Sequence, residues 1–212
     1  LCPDKNWLEE VHQAFPPRAL GKFYVYGSHY DGDIDHNLIP LKIDAATAFG
    51  SGEHDTTQLC LEMLSHSERT FHSILDMGCG SAILAIGAQK LWPDANIIAT
   101  DIDAESVRVA KRHAEMNQTL NIHCACGDGY HLDLVQNNAP YDLIIANILT
   151  RPLIAMAPDA AGVAATNGRI ILSGLLERQI PEVRRAYEKN GFEFIKQNIQ
   201  NNWACLLLGK IK

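Results

Sequence analysis

At 212 residues the chain is long enough to bury one full core with at most a small appendage. Apolar residues make up 47% and charged residues 20%, and no run nears the eighteen or so apolar residues of a membrane span, which disfavours a membrane protein. With 18 basic against 25 acidic residues the net charge is −7, which argues against a non-specific nucleic-acid binder and suits a basic protein partner or a neutral small molecule.

Residues 3–14, "PDKNWLEEVHQA", space Trp7, Leu8, Val11 and Ala14 as a short helix, which "FPPRALG" then breaks. From Phe23 to Ile43 short apolar patches around "GSHYDGDIDHN" predict irregular β structure with a polar turn. Next comes "AFGSGEHDTT", residues 48–57, two glycines ahead of Glu53, His54, Asp55 and two threonines. Gly-rich turns that run into a helix cradle anions, but no Lys follows and the two carboxylates would repel a triphosphate. The helix that follows shows Leu59, Cys60, Met63 and Leu64 on one face, with Asp55 expected as its N-cap and Gln58 as capping partner.

Strands and helices then alternate. "SILDMG" (73–78), "NIIATD" (96–101), "NIHCAC" (121–126), "YDLIIAN" (141–147) and "GRIILSG" (168–174) are the strands, several of them continuous apolar runs suited to burial on both faces. "FEFIKQ" and "ACLLLG" close the chain without a helix between them and should form an antiparallel hairpin. The expected fold is α/β: a doubly wound, mainly parallel seven-stranded sheet with an antiparallel last strand.

In such a sheet ligands bind at the carboxyl ends of the strands. The first strand ends "LDMGCGSA", where Gly78 and Gly80 allow close backbone approach. A dinucleotide fingerprint would need glycine at position 83, which is Ile83. Asp76 before the loop suits a ligand carrying an ammonium or sulfonium, such as S-adenosylmethionine, or else it simply caps the turn. Asp101, 23 residues after Gly78, is placed to accept the hydroxyls of a ribose, with Asp103 the better helix cap. Asn147 ends a buried run with an amide able to accept from and donate to a target amine, or serves as a turn former. The six cysteines, without CxxC spacing, read as buried free thiols of a reducing cytoplasm. The nine histidines show no HxxxH pair, and no metal site is expected.

Taken in order, "AFGSGEHDTT", "ILDMGCGSAILAIGAQKL", "TDID", "ANIL" and "GRIILSGLL…NNWACLLLGK" resemble the PrmA family, bacterial methyltransferases that modify protein eleven of the large ribosomal subunit. The likeness runs from about Trp7 to the C-terminus. It implies a class I, Rossmann-like S-adenosylmethionine-dependent enzyme that methylates lysine or N-terminal amines of that basic protein in the cytoplasm, with no membrane or direct nucleic-acid partner. It implies cofactor contacts from Thr57, Gly78, Asp101 and Asn147. Phe49 and Gly50 of the closing loop, Asp76 and Gly80 join them as candidates, with Asn147 and His54 as candidate catalytic residues. The domain reading is a linker helix and irregular β connector over 1–45 and a catalytic domain over 46–212. The family's N-terminal substrate-recognition domain is expected to be absent from this stretch, and Leu1 in place of Met suggests an excised piece. The sequence departs from the family pattern at Ala45-Ala46 (Pro-Gly), Ser51 (Thr) and Ala82 (Gly), the last adding a methyl expected near the cofactor. Alternative readings are a methyltransferase for another protein, a small molecule or RNA, a nicotinamide-dependent dehydrogenase, which Ile83 and Asp76 disfavour, and a silent cofactor-binding module.

Overall fold

A computed structural model of the chain describes residues 16–44 and 54–211. The helix expected over residues 3–14 and most of the 48–57 loop, including Phe49 and Gly50, lie outside them.

The described chain opens with a three-stranded sheet, β1 (Arg18–Leu20), β2 (Phe23–Tyr26) and β3 (Ile39–Lys42). β1 turns back on β2 at Gly21, whose φ of 57° is a left-handed conformation costly for other residues; β3 runs parallel to β2. The period-two pattern puts Phe23, Val25 and Leu41 inside, where they share one core with Leu59, Leu61 and Ile83. The strands within residues 18–42 therefore pack into the same core as the helices that follow.

The main sheet has seven strands: β4 (Ser73–Met77), β5 (Asn96–Asp101), β6 (Ile122–Cys126), β7 (Tyr141–Asn147), β8 (Ala164–Leu176), β9 (Phe192–Gln200) and β10 (Trp203–Lys210). Their order is β6-β5-β4-β7-β8-β10-β9. The pairs from β6 through β8 are parallel, and β10 is antiparallel to both β8 and β9. The last two strands form the expected hairpin. Its two-residue turn is Asn201-Asn202, with φ of 49° and 67°, the type I′ geometry that asparagine tolerates and that matches strand twist.

Helices α1 (Asp55–Ser65), α2 (Ile83–Leu91) and α3 (Ala104–Met116) cover one face of the sheet. On the other lie α4 (Asp133–Asn137), α5 (Thr150–Ala155), α6 (Ala157–Val163) and α7 (Ile180–Glu188). Two apolar clusters, one per face, make the three-layer core. α5 and α6 are two separate short helices. Pro158 removes a backbone donor, so it belongs in the first turn of a new helix, and the break falls at Met156. Cys60, Cys79 and Cys205 are buried free thiols as expected, whereas Cys124 is half-buried and Cys126 is exposed.

Candidate active site

The strand order reverses between β4 and β7, and a cavity of ≈ 730 Å³ opens there at the carboxyl ends of the strands. β4 supplies Met77, Gly78 and Gly80; β5 supplies Thr100, Asp101 and Ile102. The turn after β6 supplies Gly127, Asp128 and Gly129. Asn147, Ile148 and Leu149 follow β7, Gly174 comes from β8, and Trp203 begins β10. His54 and Thr56 close the wall from the start of α1.

The glycine loop is held from below and from the side. Gly78 N–H and Cys79 N–H donate to the Thr100 carbonyl at 2.8 and 2.9 Å. Gly78 has φ of 71°, and a Cβ there would stand 2.2 Å from Ile148 Cγ2, so both its conformation and its packing require glycine. Asp101 accepts from Gly80 N–H at 2.9 Å through one carboxylate oxygen and from Asp103 N–H at 3.0 Å through the other. Each oxygen keeps a lone pair free. Asp103 itself caps α3, accepting from Glu105 N–H and Ser106 N–H.

Asp76, expected to face a cationic ligand, does not line the cavity. It is 1% exposed behind the glycine loop, and its carboxylate accepts from Ala85 N–H at 3.0 Å. Ala82 is the N-cap of α2 and has no side chain with which to cap, so Asp76 satisfies one of the helix's first amides from outside. Burial pushes its pKa up to about 7, the Asp101 charge adds to the rise, and the Ala85 bond works against it. Ala82 is in the left-handed region, φ 61°, and its methyl is fully buried in the core. It is not among the residues lining the cavity, and the methyl expected near the cofactor packs into the core.

The N-cap of α1 is His54 rather than Asp55: His54 Nδ1 accepts from Thr56 N–H at 3.3 Å. Asp55 instead accepts from Gln200 Nε2 at 2.8 Å and Asn201 Nδ2 at 3.3 Å, tying the helix start to the terminal hairpin. That long-range pairing, invisible in local spacing, decides the cap. The His54 ring also packs edge-on against Trp203, centroids 4.8 Å apart. Thr57 is fully buried and lies one layer behind the cavity wall, which Thr56 lines. Its hydroxyl accepts from Asn147 Nδ2 at 3.3 Å. Asn147 is 8% exposed, and its side-chain oxygen is buried with no partner among the described residues.

The family model for PrmA, ribosomal protein L11 methyltransferase, matches residues 1–210. The chain belongs to the PrmA family. It is similar to the ribosomal protein L11 methyltransferase of Caulobacter sp. (strain K31), 39% identical over 207 residues that cover 97% of this chain and 71% of the relative. The same-named protein of Agrobacterium fabrum is 37% identical over 213 residues, 99% of this chain and 73% of the relative. Among solved structures, a ribosomal protein L11 methylase of Lactobacillus delbrueckii subsp. bulgaricus superposes with a TM-score of 0.81 at 27% identity, covering 92% of this chain and 99% of that one. A precorrin-6y C5,15-methyltransferase of Geobacter metallireducens, TM-score 0.61 at 13% identity over 75% of this chain and 90% of that one, shares the fold. The PrmA resemblance, the methyltransferase fold and the sheet topology read from the sequence are thus established.

The sequence reading missed several residues of the PrmA-type cavity. Asp128 sits in a Gly/Asp turn after β6, at a strand's carboxyl end like the residues that were singled out, and applying the same rule to every parallel strand would have found it. Trp203 reaches the cavity only because the hairpin folds β10 back between β8 and β9. Ile102 and Leu149, 77% and 74% exposed, give the mouth two apolar lips.

Among the described residues no group of three or more His, Cys, Asp or Glu is arranged to hold a metal ion, and no helix is long and apolar enough to cross a membrane.

Proposed function

We propose that this protein transfers methyl groups from S-adenosylmethionine to lysine or N-terminal amines of large-subunit ribosomal protein L11, the substrate its relatives' names carry. The observation that carries the reading is the Asn147 side-chain oxygen, a buried acceptor with no partner among the described residues, beside a cavity of cofactor size.

The residues present fit the cofactor. Gly78 and Gly80 offer backbone with no side chain in the way, and Asp101 keeps free lone pairs for the ribose hydroxyls. Asn147, two interstrand steps away across β4, about 10 Å, sits at the other end of the cradle. When bound, S-adenosylmethionine supplies an electrophilic methyl on a sulfonium that leaves without protonation. Asp76 serves through α2 and the glycine loop rather than by contact, and Thr57 serves by orienting Asn147.

The protein's task is to align a neutral amine. A lysine with a reference pKa of about 10.4 arrives protonated at neutral pH. The apolar surfaces of Leu149 and Trp203 disfavour the charged form by excluding water, and the Asn147 oxygen accepts an N–H of the neutral amine without holding a positive charge as a carboxylate would. Alignment then supplies much of the rate. His54, whose Nδ1 is engaged with the Thr56 amide and hydroxyl, positions the start of α1 against Trp203.

The test is transfer of labelled methyl from S-adenosylmethionine to purified, unmethylated protein L11. Label in lysine or N-terminal amines is the expected result. Tight S-adenosylmethionine binding with no label in L11 would leave the fold and cofactor standing and remove the substrate.

A further inference from the structure

Beyond the last turn of α1, which ends at Ser65, a second groove of ≈ 310 Å³ lies between Met63 and Leu64 on the helix and strands β7, β8, β10 and β9. Its floor is apolar, made by Phe71, Ile171 and Leu207, with Ile195 at the outer edge. Arg69, Arg169, Lys196 and His66 line its rim. Leu143 in this groove stands four residues before Asn147 on β7, about 13 Å along the strand. The groove shares no lining residue with the catalytic cavity.

Arg169 is the rim cation carried by β8. It stands in register with Leu143 on one side and Gly209 on the other. Its guanidinium lies over Gly209, where a Cβ would stand 2.3 Å from Nη1 and 3.2 Å from Ile195 Cδ1. The absent side chain of Gly209 is therefore the seat of the arginine head. Among the described residues neither Arg169 nor Lys196 has a side-chain hydrogen bond or an ion pair. Arg69 gives one N–H to the Asn167 carbonyl at 2.9 Å and lies over the Phe71 ring at 5.6 Å. Burial and the nearby Arg69 charge hold the Arg169 pKa below its usual value, and Glu193 pulls the other way. Glu68, also on the rim, makes no ion pair among the described residues. Two guanidiniums thus face one apolar-floored groove in a chain of net charge −7, with no carboxylate of the described residues bridging them.

We propose that this groove is a second binding site, for a carboxylate with an apolar body: the carboxylate on the Arg169 and Arg69 guanidiniums, the hydrocarbon on Phe71, Ile171 and Leu207. A guanidinium matches a planar carboxylate with paired hydrogen bonds, and the apolar floor rewards a ligand that is more than a bare anion. An added anion also relieves the repulsion between the two arginines. The site does not depend on the methyltransferase reading, since none of its residues serves the cavity.

The test titrates hexanoate, hexanol and hexylammonium into isotope-labelled protein and follows the backbone amide signals. Hexanoate should shift Leu64, Phe71 and Ile195 saturably with a dissociation constant of about 1 mM, an ordinary affinity for so small a ligand. It should bind about tenfold tighter than hexanol, and hexylammonium should not bind. Arg169→Gln should weaken hexanoate about tenfold, leave hexanol unchanged and keep the melting temperature; Arg69→Gln, on the exposed rim, repeats the test should that variant fail to fold. Equal binding of hexanol and hexanoate, undiminished hexanoate binding by a folded variant, or shifts confined to the Asn147 cavity would each overturn the proposal. Tighter binding of hexyl phosphate than hexanoate would overturn the carboxylate assignment, and binding of a short single-stranded RNA here in place of hexanoate would overturn the small-ligand site itself.

Discussion

The Asn147 amide donates to the Thr57 hydroxyl at 3.3 Å, so the end of β7 is fixed to the first turn of α1 and the Asn147 oxygen is left buried without a partner among the described residues. Neither residue is oriented by its own neighbours in sequence. Asn147→Ala should lower turnover at least tenfold while changing S-adenosylhomocysteine affinity much less. Thr57→Val should lower turnover by about the worth of one hydrogen bond, roughly 1 kcal/mol or fivefold. The double variant should be no worse than Asn147→Ala, a coupling of about 1 kcal/mol in the cycle. Simple additivity of the two losses in steady-state kinetics would mean that Thr57 acts independently of Asn147.

Asp101 accepts from the Gly80 amide of the Gly78–Gly80 turn and is the proposed partner of the cofactor's ribose. Asp101→Ala removes the expected hydroxyl acceptor and frees Gly80 N–H. Two charge-assisted hydrogen bonds at about 1.5 kcal/mol or more each predict S-adenosylhomocysteine binding weaker by about 100-fold, read by calorimetry. A loss below threefold would place the ribose elsewhere.

Asp76 makes stability depend on pH in an unusual direction. Its folded-state pKa of about 7 lies above the ordinary 3.8, so the folded protein binds the extra proton between these values. The associated stability is fully present below about pH 4 and is lost as pH rises through 7. In Asp76→Asn this contribution is absent, so the wild type should lose stability relative to the variant between pH 5 and 8, by about 1 kcal/mol or more. Buried His113, whose pKa is lowered by burial, works in the opposite sense on acidification and cancels in the comparison. Denaturant unfolding of both proteins across this range gives the difference, and a flat one would place the Asp76 pKa outside the window.

Ala82 occupies φ 61° at a site where the family pattern has glycine. Left-handed backbone costs an alanine about 1 kcal/mol, and a buried methyl returns about 0.8 kcal/mol. Ala82→Gly should therefore leave stability within about 1 kcal/mol, whereas a β-branched Ala82→Val should lose more than about 2 kcal/mol from strain and overpacking. Urea unfolding decides, and a large loss in the glycine variant would show that the methyl's packing outweighs the backbone strain.

The strands were legible because their apolar runs are local and continuous: "NIIATD" and "YDLIIAN" are β5 and β7 to the residue. The carboxyl-end rule likewise pointed from sequence alone to Gly78, Gly80, Asp101 and Asn147, all of which line one cavity. Local spacing failed wherever a distant partner competed. Asp55 had the right type and place for an N-cap, yet Gln200 and Asn201, about 145 residues on, take its carboxylate and leave the cap to His54. Asp76 had the right charge for a cationic ligand, but its direction was set by a helix start that lacks a cap of its own.

Periodicity, turn residues and strand-end motifs determined the fold class, the family and the strand ends that line the candidate cavity, because each depends on residues close together in the chain. Which side chains meet was decided only by the tertiary structure. Thr57 and Asn147 are 90 residues apart, and Trp203 joins the cavity through a strand that returns from the C-terminus. Closing such separations is the work of core packing on both faces of the sheet, where burial of whole strands and helices outweighs the preference of any single residue for its neighbours.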